Sequence, residues 1–302
     1  MISIVVPVYN GVKFIKKCYE SLIRQSNEDW EAIFIDDGSK DNSLQELNRL
    51  SDTDIRVKVI HKENEGVAVA REVGIKEARG EYITFLDIDD SLVESALKQF
   101  VDNFDSNETD MVIAGINLIP ENGDYHRKIY YKSMSISGRE CVDLMCTGFL
   151  RWQLCGKAFR ASILKETQTP RGLRSAEDMA VCLQAATNAR SVVVLNDCLY
   201  NYVQVATSVT HSKAREISYD ALKAAEFVEK TMADRMNSTS LDCLFLLIIS
   251  GALRAGISPK DNLFRSAVKT HGHLRSITYL SSLKALNVGL YRYLHINLAR
   301  YL

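Results

Sequence analysis

Apolar positions along the chain fall into short continuous runs, separated by stretches in which they recur every three or four residues. The first run, Ile2–Val8, is rich in β-branched residues and gives way to Asn10-Gly11. A run of that kind predicts a strand buried on both faces, followed by a turn. Residues 12–24 then place Phe14, Ile15, Cys18, Leu22 and Ile23 at helical spacing. The alternation continues with strands predicted at 31–35, 56–60, 82–86 and 111–114. Helices are predicted at 43–50, 67–78 and 92–104, with Gly80 closing the one at 67–78. Strand–helix alternation of this regularity implies an α/β fold with a mostly parallel central sheet and helices on both faces.

Beyond residue 115 the pattern loosens. Strands are predicted at 155–159 and 192–195, and a helix at 176–188 with Glu177 and Asp178 in its first turn. From Ala214 the apolar spacing is helical to the end, so 214–302 reads as a helical C-terminal region.

In sheets of this kind ligands bind beyond the carboxyl ends of the strands. Three predicted strands end there in polar clusters, "PVYN", "DDGS" and "DIDD". Neither G-x-G-x-x-G nor a Walker motif follows a strand, which disfavours a dinucleotide fold and a P-loop. Asp87, Asp89 and Asp90 crowd the end of the fourth strand. Asp89 and Asp90 suit the N-cap of a helix beginning at Leu92, but a cap leaves Asp87 unexplained. The sharper reading is a divalent cation, Mn2+ or Mg2+, shared between carboxylates and a diphosphate. Asp36 and Asp37 suit an Asx turn, or hydrogen bonds from a base or a ribose. Tyr9 is either core or a stacking surface for a base. Glu177 and Asp178 either answer a helix dipole or supply a general base.

Taken together, "SIVVPVYNG", "IFIDDGSKDNS", "NEGVAVAR", "GEYITFLDIDD", "GKAFRASIL" and "SAEDMAV" resemble the family 2 glycosyltransferases, which have the GT-A fold. The likeness is dense over 1–95, looser over 150–210 and absent beyond about 215. It looks most like bacterial enzymes of surface-polysaccharide synthesis. The resemblance implies a catalytic domain over 1–213, with a nucleotide-sugar half at 1–115 and an acceptor half at 116–213. It implies that Pro7, Val8, Tyr9 and Asn10 line the nucleotide pocket. Asp37 would contact the base with Asp36 beside it, and Arg71 would sit near the base or the phosphates. Asp87, Ile88 and Asp89 form the D-x-D pattern, Asp89 binding the metal and Asp87 facing the ribose or the metal. Asp178 would be the catalytic base, Glu177 its neighbour, and His211 would lie in a segment over the diphosphate. One position departs: Glu72 stands where the family often has Asn. The implied donor is a nucleoside-diphosphate sugar, UDP-linked by resemblance, and the implied acceptor is a glycan or a lipid-linked sugar. Two other readings compete. One is a haloacid-dehalogenase-like phosphohydrolase, suggested by "FLDIDD"; the other is a non-catalytic nucleotide-binding module.

Composition narrows the rest. Of 302 residues 46% are hydrophobic and 25% charged, which suits a globular chain. The net charge of -1 argues against a general nucleic-acid surface. Seven cysteines without a C-x-x-C pair suit a reducing, cytoplasmic setting and disfavour zinc. The N-terminus reads as a first strand rather than a signal peptide, and no apolar run reaches the roughly 18 residues of a membrane span. After Asp261 no acidic residue occurs, while Leu280, Leu283, Leu286, Leu290, Leu294 and Leu298 recur at helical spacing among basic residues. That stripe over 262–302 fits a helix packed on the domain or on a second copy. It equally fits one lying on the anionic inner face of the plasma membrane.

Overall fold

The computed structural model describes residues 1–120, 127–173, 175–204 and 214–256, together with Ala267. The strands are β1 (Ile2–Val8), β2 (Trp30–Asp37), β3 (Val57–Lys62), β4 (Tyr82–Phe85), β5 (Ser91–Leu92), β6 (Met111–Pro120), β7 (Arg127–Ile129), β8 (Met134–Ser137), β9 (Lys157–Arg160) and β10 (Ser191–Gln204). The helices are α1 (Val12–Ile23), α2 (Ser43–Thr53), α3 (Val67–Glu77), α4 (Ala96–Asn107), α5 (Gly138–Cys146), α6 (Ala161–Lys165), α7 (Glu177–Asn188), α8 (Ala214–Met232) and α9 (Ser238–Arg254).

The strands form one sheet in the order β3-β2-β1-β4-β9-β6-β10-β5, with β7 on β6 and β8 on β10. The expected parallel order holds from β3 to β4. Beyond β4 the sheet is mixed, because β9 inserts antiparallel between β4 and β6. Alternation along each strand divides the core. Val5, Ile33, Ile35, Ile83, Phe85, Met111 and Ile113 face α3, α5, α7, α8 and α9. Ile4, Val6, Ala32, Phe34, Tyr82 and Val112 face α1, α2 and α4. Successive strand residues point to opposite faces, so both faces being covered requires continuous apolar runs. The described part of the C-terminal region joins this core, since Leu222, Val228, Leu244 and Ile249 bury into the same cluster as Val5.

Two expectations need correction. The helix predicted from Leu92 begins at Ala96, because Ser91 and Leu92 pair as a short strand with Asn201 and Tyr200 of β10. Asp89 and Asp90 therefore cap nothing; Asp90 is buried and takes the Tyr200 hydroxyl and the Val203 amide instead. The strand predicted at 192–195 runs to Gln204, past a register break between Val194 and Tyr200 that hides its continuation in the sequence. Among the described residues no helix is long and apolar enough to cross a membrane, and the basic tail lies outside them.

Helix α3 lies against β1 at Gly74, where a Cβ would fall 2.4 Å from Val5 Cγ1 and 2.9 Å from Ile35 Cδ1. That approach explains a glycine in a helix interior, which otherwise costs stability. Gly74→Ala is expected to lower stability by about 1–3 kcal/mol through overpacking, measured as a reduced midpoint in urea unfolding.

Candidate active site

The parallel strands β1, β2 and β4 deliver their carboxyl ends to one edge of the sheet. Pro7, Val8 and Tyr9 from β1, Asp37 from β2, and Asp87, Ile88 and Asp89 beyond β4 line a single cavity there of about 130 Å³. Val67 and Ala70 of α3 complete it. Tyr9 is half-exposed at its mouth, offering an aromatic face to solvent.

Asp36 and Asp37 lie at the end of β2, both buried, and Asp36 Oδ1 accepts the Ser39 amide at 3.3 Å. Asp37 accepts from Lys62 Nζ at 2.8 Å and from the Glu65 and Gly66 amides at 3.0 and 2.8 Å. It thus fixes the loop leading into α3 while lining the cavity. Asp36 lies one residue behind it, with Oδ2 2.6 Å from His61 Nδ1, and it is not among the cavity-lining residues. Asn10 is also outside the lining. It adopts a left-handed backbone with φ 51°, and its side-chain oxygen accepts the Lys40 amide at 2.7 Å, joining the turn after β1 to the loop after β2.

Arg71 of α3 follows the cavity-lining Ala70 and is not itself among the lining residues. Its guanidinium donates to Asp87 Oδ1 at 2.7 Å and, through the other terminal nitrogen, to Glu177 Oε1. Asp87 follows β4 and Glu177 opens α7, so one cation spans two elements that are 90 positions apart in sequence. Ala176, just before Glu177, has φ 63°, a left-handed conformation that costs a residue bearing a Cβ. Ser175 is anchored to Asp220 of α8 at 3.1 Å. The start of α7 is therefore held by the Glu177–Arg71 ion pair and the Ser175–Asp220 hydrogen bond rather than by a side-chain cap.

Asp178 is partly buried beside this pair. Loss of solvent, then the Glu177 carboxylate, push its pKa up to about 7; the Arg71 guanidinium opposes them. Burial lowers the preference of Arg71 for charge, but Asp87, Glu177 and Asp178 outweigh it and hold the guanidinium charged. At Asp89 burial and the neighbouring Asp87 charge raise the carboxyl pKa.

A divalent cation suits this donor set. Asp87 and Asp89, separated by Ile88, both offer oxygen ligands to the cavity, and Arg71 engages only one oxygen of Asp87. Among the described residues no group of three or more His, Cys, Asp or Glu is placed to hold a metal by itself. Two carboxylates completed by phosphate and water is the ordinary mode for Mg2+. His211 lies outside the described residues. Sequence reasoning missed Val67 and Ala70, which α3 brings to the cavity, and Lys62 and His61, whose roles depend on β3 being the neighbour of β2.

A model of the family described as "Glycosyl transferase family 2" matches residues 3–159. The chain belongs to glycosyltransferase family 2. It is accordingly a glycosyltransferase, which removes the phosphohydrolase and the non-catalytic readings. Glycosyltransferase GlyG of Streptococcus pneumoniae is 28% identical over 239 residues, covering 76% of this chain and 77% of that protein. Poly(ribitol-phosphate) beta-glucosyltransferase of Bacillus spizizenii is 34% identical over 208 residues, covering 67% of this chain but 32% of its own length. The crystal structure of S. aureus TarS 1-349 in complex with UDP-GlcNAc superposes with a TM-score of 0.73 at 21% identity. That match covers 99% of this chain and 91% of the other, and it establishes the shared fold.

In this glycosyltransferase, folding takes up a proton at Asp178 between the ordinary carboxylate pKa of 3.8 and about 7. A raised pKa in the folded state means that stability falls as pH rises through that window. Asp178→Asn is expected to raise Tm at pH 8, with the gain shrinking towards pH 4, as read by thermal melts across pH.

Proposed function

We propose that the chain transfers a sugar, with inversion, from a UDP-sugar to a hydroxyl of a surface-polysaccharide acceptor, and that Asp178 is the general base. The observation that carries this reading is the grouping of Asp178 and Glu177 with Asp87 through Arg71, next to a cavity lined by the ends of β1 and β2.

On this reading Tyr9 stacks on the base, and Pro7, Val8 and Asp37 border it. Asp178 takes the proton of the acceptor hydroxyl as its oxygen attacks the anomeric carbon from the face opposite the diphosphate. The bond from that carbon to the diphosphate oxygen breaks, and its electron pair leaves with UDP. A base with a pKa near the working pH is well matched to that task. No covalent intermediate on the chain is required, so one base is enough. Mn2+ or Mg2+ held by Asp87 and Asp89 would supply positive charge to the departing diphosphate. Asp87, Glu177 and Asp178 around one guanidinium, with Asp89 beside Asp87, would otherwise repel that anion. The donor assignment draws support from the UDP-GlcNAc complex of TarS, and the acceptor class from the named polymer of the Bacillus relative.

The direct test is nucleotide release from a panel of UDP-sugars with and without acceptor. Asp178→Asn is expected to retain UDP binding and to lose about 10²–10⁴-fold in turnover. Survival of turnover within a few-fold would place the base elsewhere. The basic segment 262–302 is proposed to bring the enzyme to an anionic membrane carrying a lipid-linked acceptor. Full-length chain should then pellet with phosphatidylglycerol liposomes while a 1–260 chain stays in the supernatant.

A further inference from the structure

The turn that presents Asp87 and Asp89 is closed into a ring by a tyrosine from far along the chain. The Asp87 amide donates to Tyr200 Oη at 3.1 Å, and the Tyr200 hydroxyl donates to Asp90 Oδ2 at 2.6 Å. The Asp90 amide donates back to the Asp87 carbonyl at 3.0 Å. The remaining oxygen of Asp90 accepts the Val203 amide at 2.7 Å, which fastens the ring to β10. Tyr200 is fully buried and Asp90 is 2% exposed.

A buried carboxylate is an expensive way to hold a turn, because its desolvation must be met by hydrogen bonds from every side. Here both oxygens of Asp90 are used internally. Asp87, Ile88 and Asp89 line the cavity, whereas Asp90 does not. Ile88 also packs against Gly11, where a Cβ would stand 3.1 Å from Ile88 Cγ2, so the turn is pinned from its outer side too. The ring fixes the backbone from 87 to 90, and with it the offset between the two carboxylates facing the cavity. We propose that Tyr200 and Asp90 are positioning residues for the diphosphate end of the transfer. They hold Asp87 and Asp89 at the spacing in which one divalent cation and a diphosphate bind together. This rests on the cation and UDP reading given above and extends it to residues that touch neither.

The test is calorimetric titration of the full chain with UDP at graded Mn2+, alongside thermal melts. Tyr200→Phe removes one hydroxyl and leaves the ring packing in place. It should raise the Mn2+ concentration for half-maximal UDP binding by about tenfold, the scale typical of losing a group that orients a metal ligand. Asp90→Asn, isosteric and expected to fold even if the phenylalanine variant does not, should produce a shift of the same order. Ser3→Ala removes a buried 2.7 Å hydrogen bond to Glu31 near the amino end of β1. It should lower Tm without moving the Mn2+ dependence. If Tyr200→Phe and Asp90→Asn behave like Ser3→Ala, the ring is only structural and the inference is overturned. If the unmodified chain binds neither Mn2+ nor UDP, the donor and cation reading itself falls, and the inference with it.

Discussion

One guanidinium joins the two ends of the site. Arg71 reaches Asp87, at the end of β4, with one terminal nitrogen and Glu177, at the start of α7, with the other. It is nearly buried, and a buried charge is tolerable only when partners of opposite sign replace its water. The carboxylates need it for the same reason. Glu177 is buried, Asp178 partly buried and Asp87 borders the cavity, and no other basic side chain makes an ion pair with Asp87 or Glu177 among the described residues. Removing Arg71 would leave Asp87, Glu177 and Asp178 without the charge that offsets their mutual repulsion. Its engagement ties the end of β4 to the start of α7.

The rest of the fold serves that contact. Arg71 can reach both carboxylates because α3 lies directly on β1 and β2, and Gly74 allows the helix to approach Val5 without a side chain between them. Asp37 holds the loop that feeds α3, through Lys62 and the amides of Glu65 and Gly66. On the far side, Ala176 accepts a strained backbone and Ser175 is tied to α8, so Glu177 arrives at the guanidinium with little freedom. The helices of the C-terminal region thus act on the site through the loop before α7. They do so as part of the core rather than as an appendage.

Much of this was legible in the chain. Strands buried on both faces leave continuous apolar runs, which is why β1, β2 and β4 and the polar clusters at their ends stand out. Asp90 was illegible because an aspartate before an apolar run looks like a helix cap. The partner that overrides the cap, Tyr200, is 110 residues away. The antiparallel direction of β9 was equally hidden, since periodicity reports which face is buried and not which way a strand runs. The same holds for Lys62 and His61. They meet Asp37 and Asp36 only because β3 pairs with β2 in a register that sets those residues side by side.

The chain belongs to glycosyltransferase family 2, and the charge pattern around Arg71 suits the parts of the grouping to different work. Asp87 and Asp89 face the cavity, while Asp178, held near neutrality by burial and Glu177 against the pull of Arg71, is suited to move a proton. The pH dependence of kcat/KM measures that balance most directly. For the unmodified enzyme kcat/KM is expected to rise with an apparent pKa of about 7. In Arg71→Gln, which removes the opposing positive charge, that rise should move to higher pH. A rise at the same pH in both enzymes would contradict the coupling of Arg71 to the base.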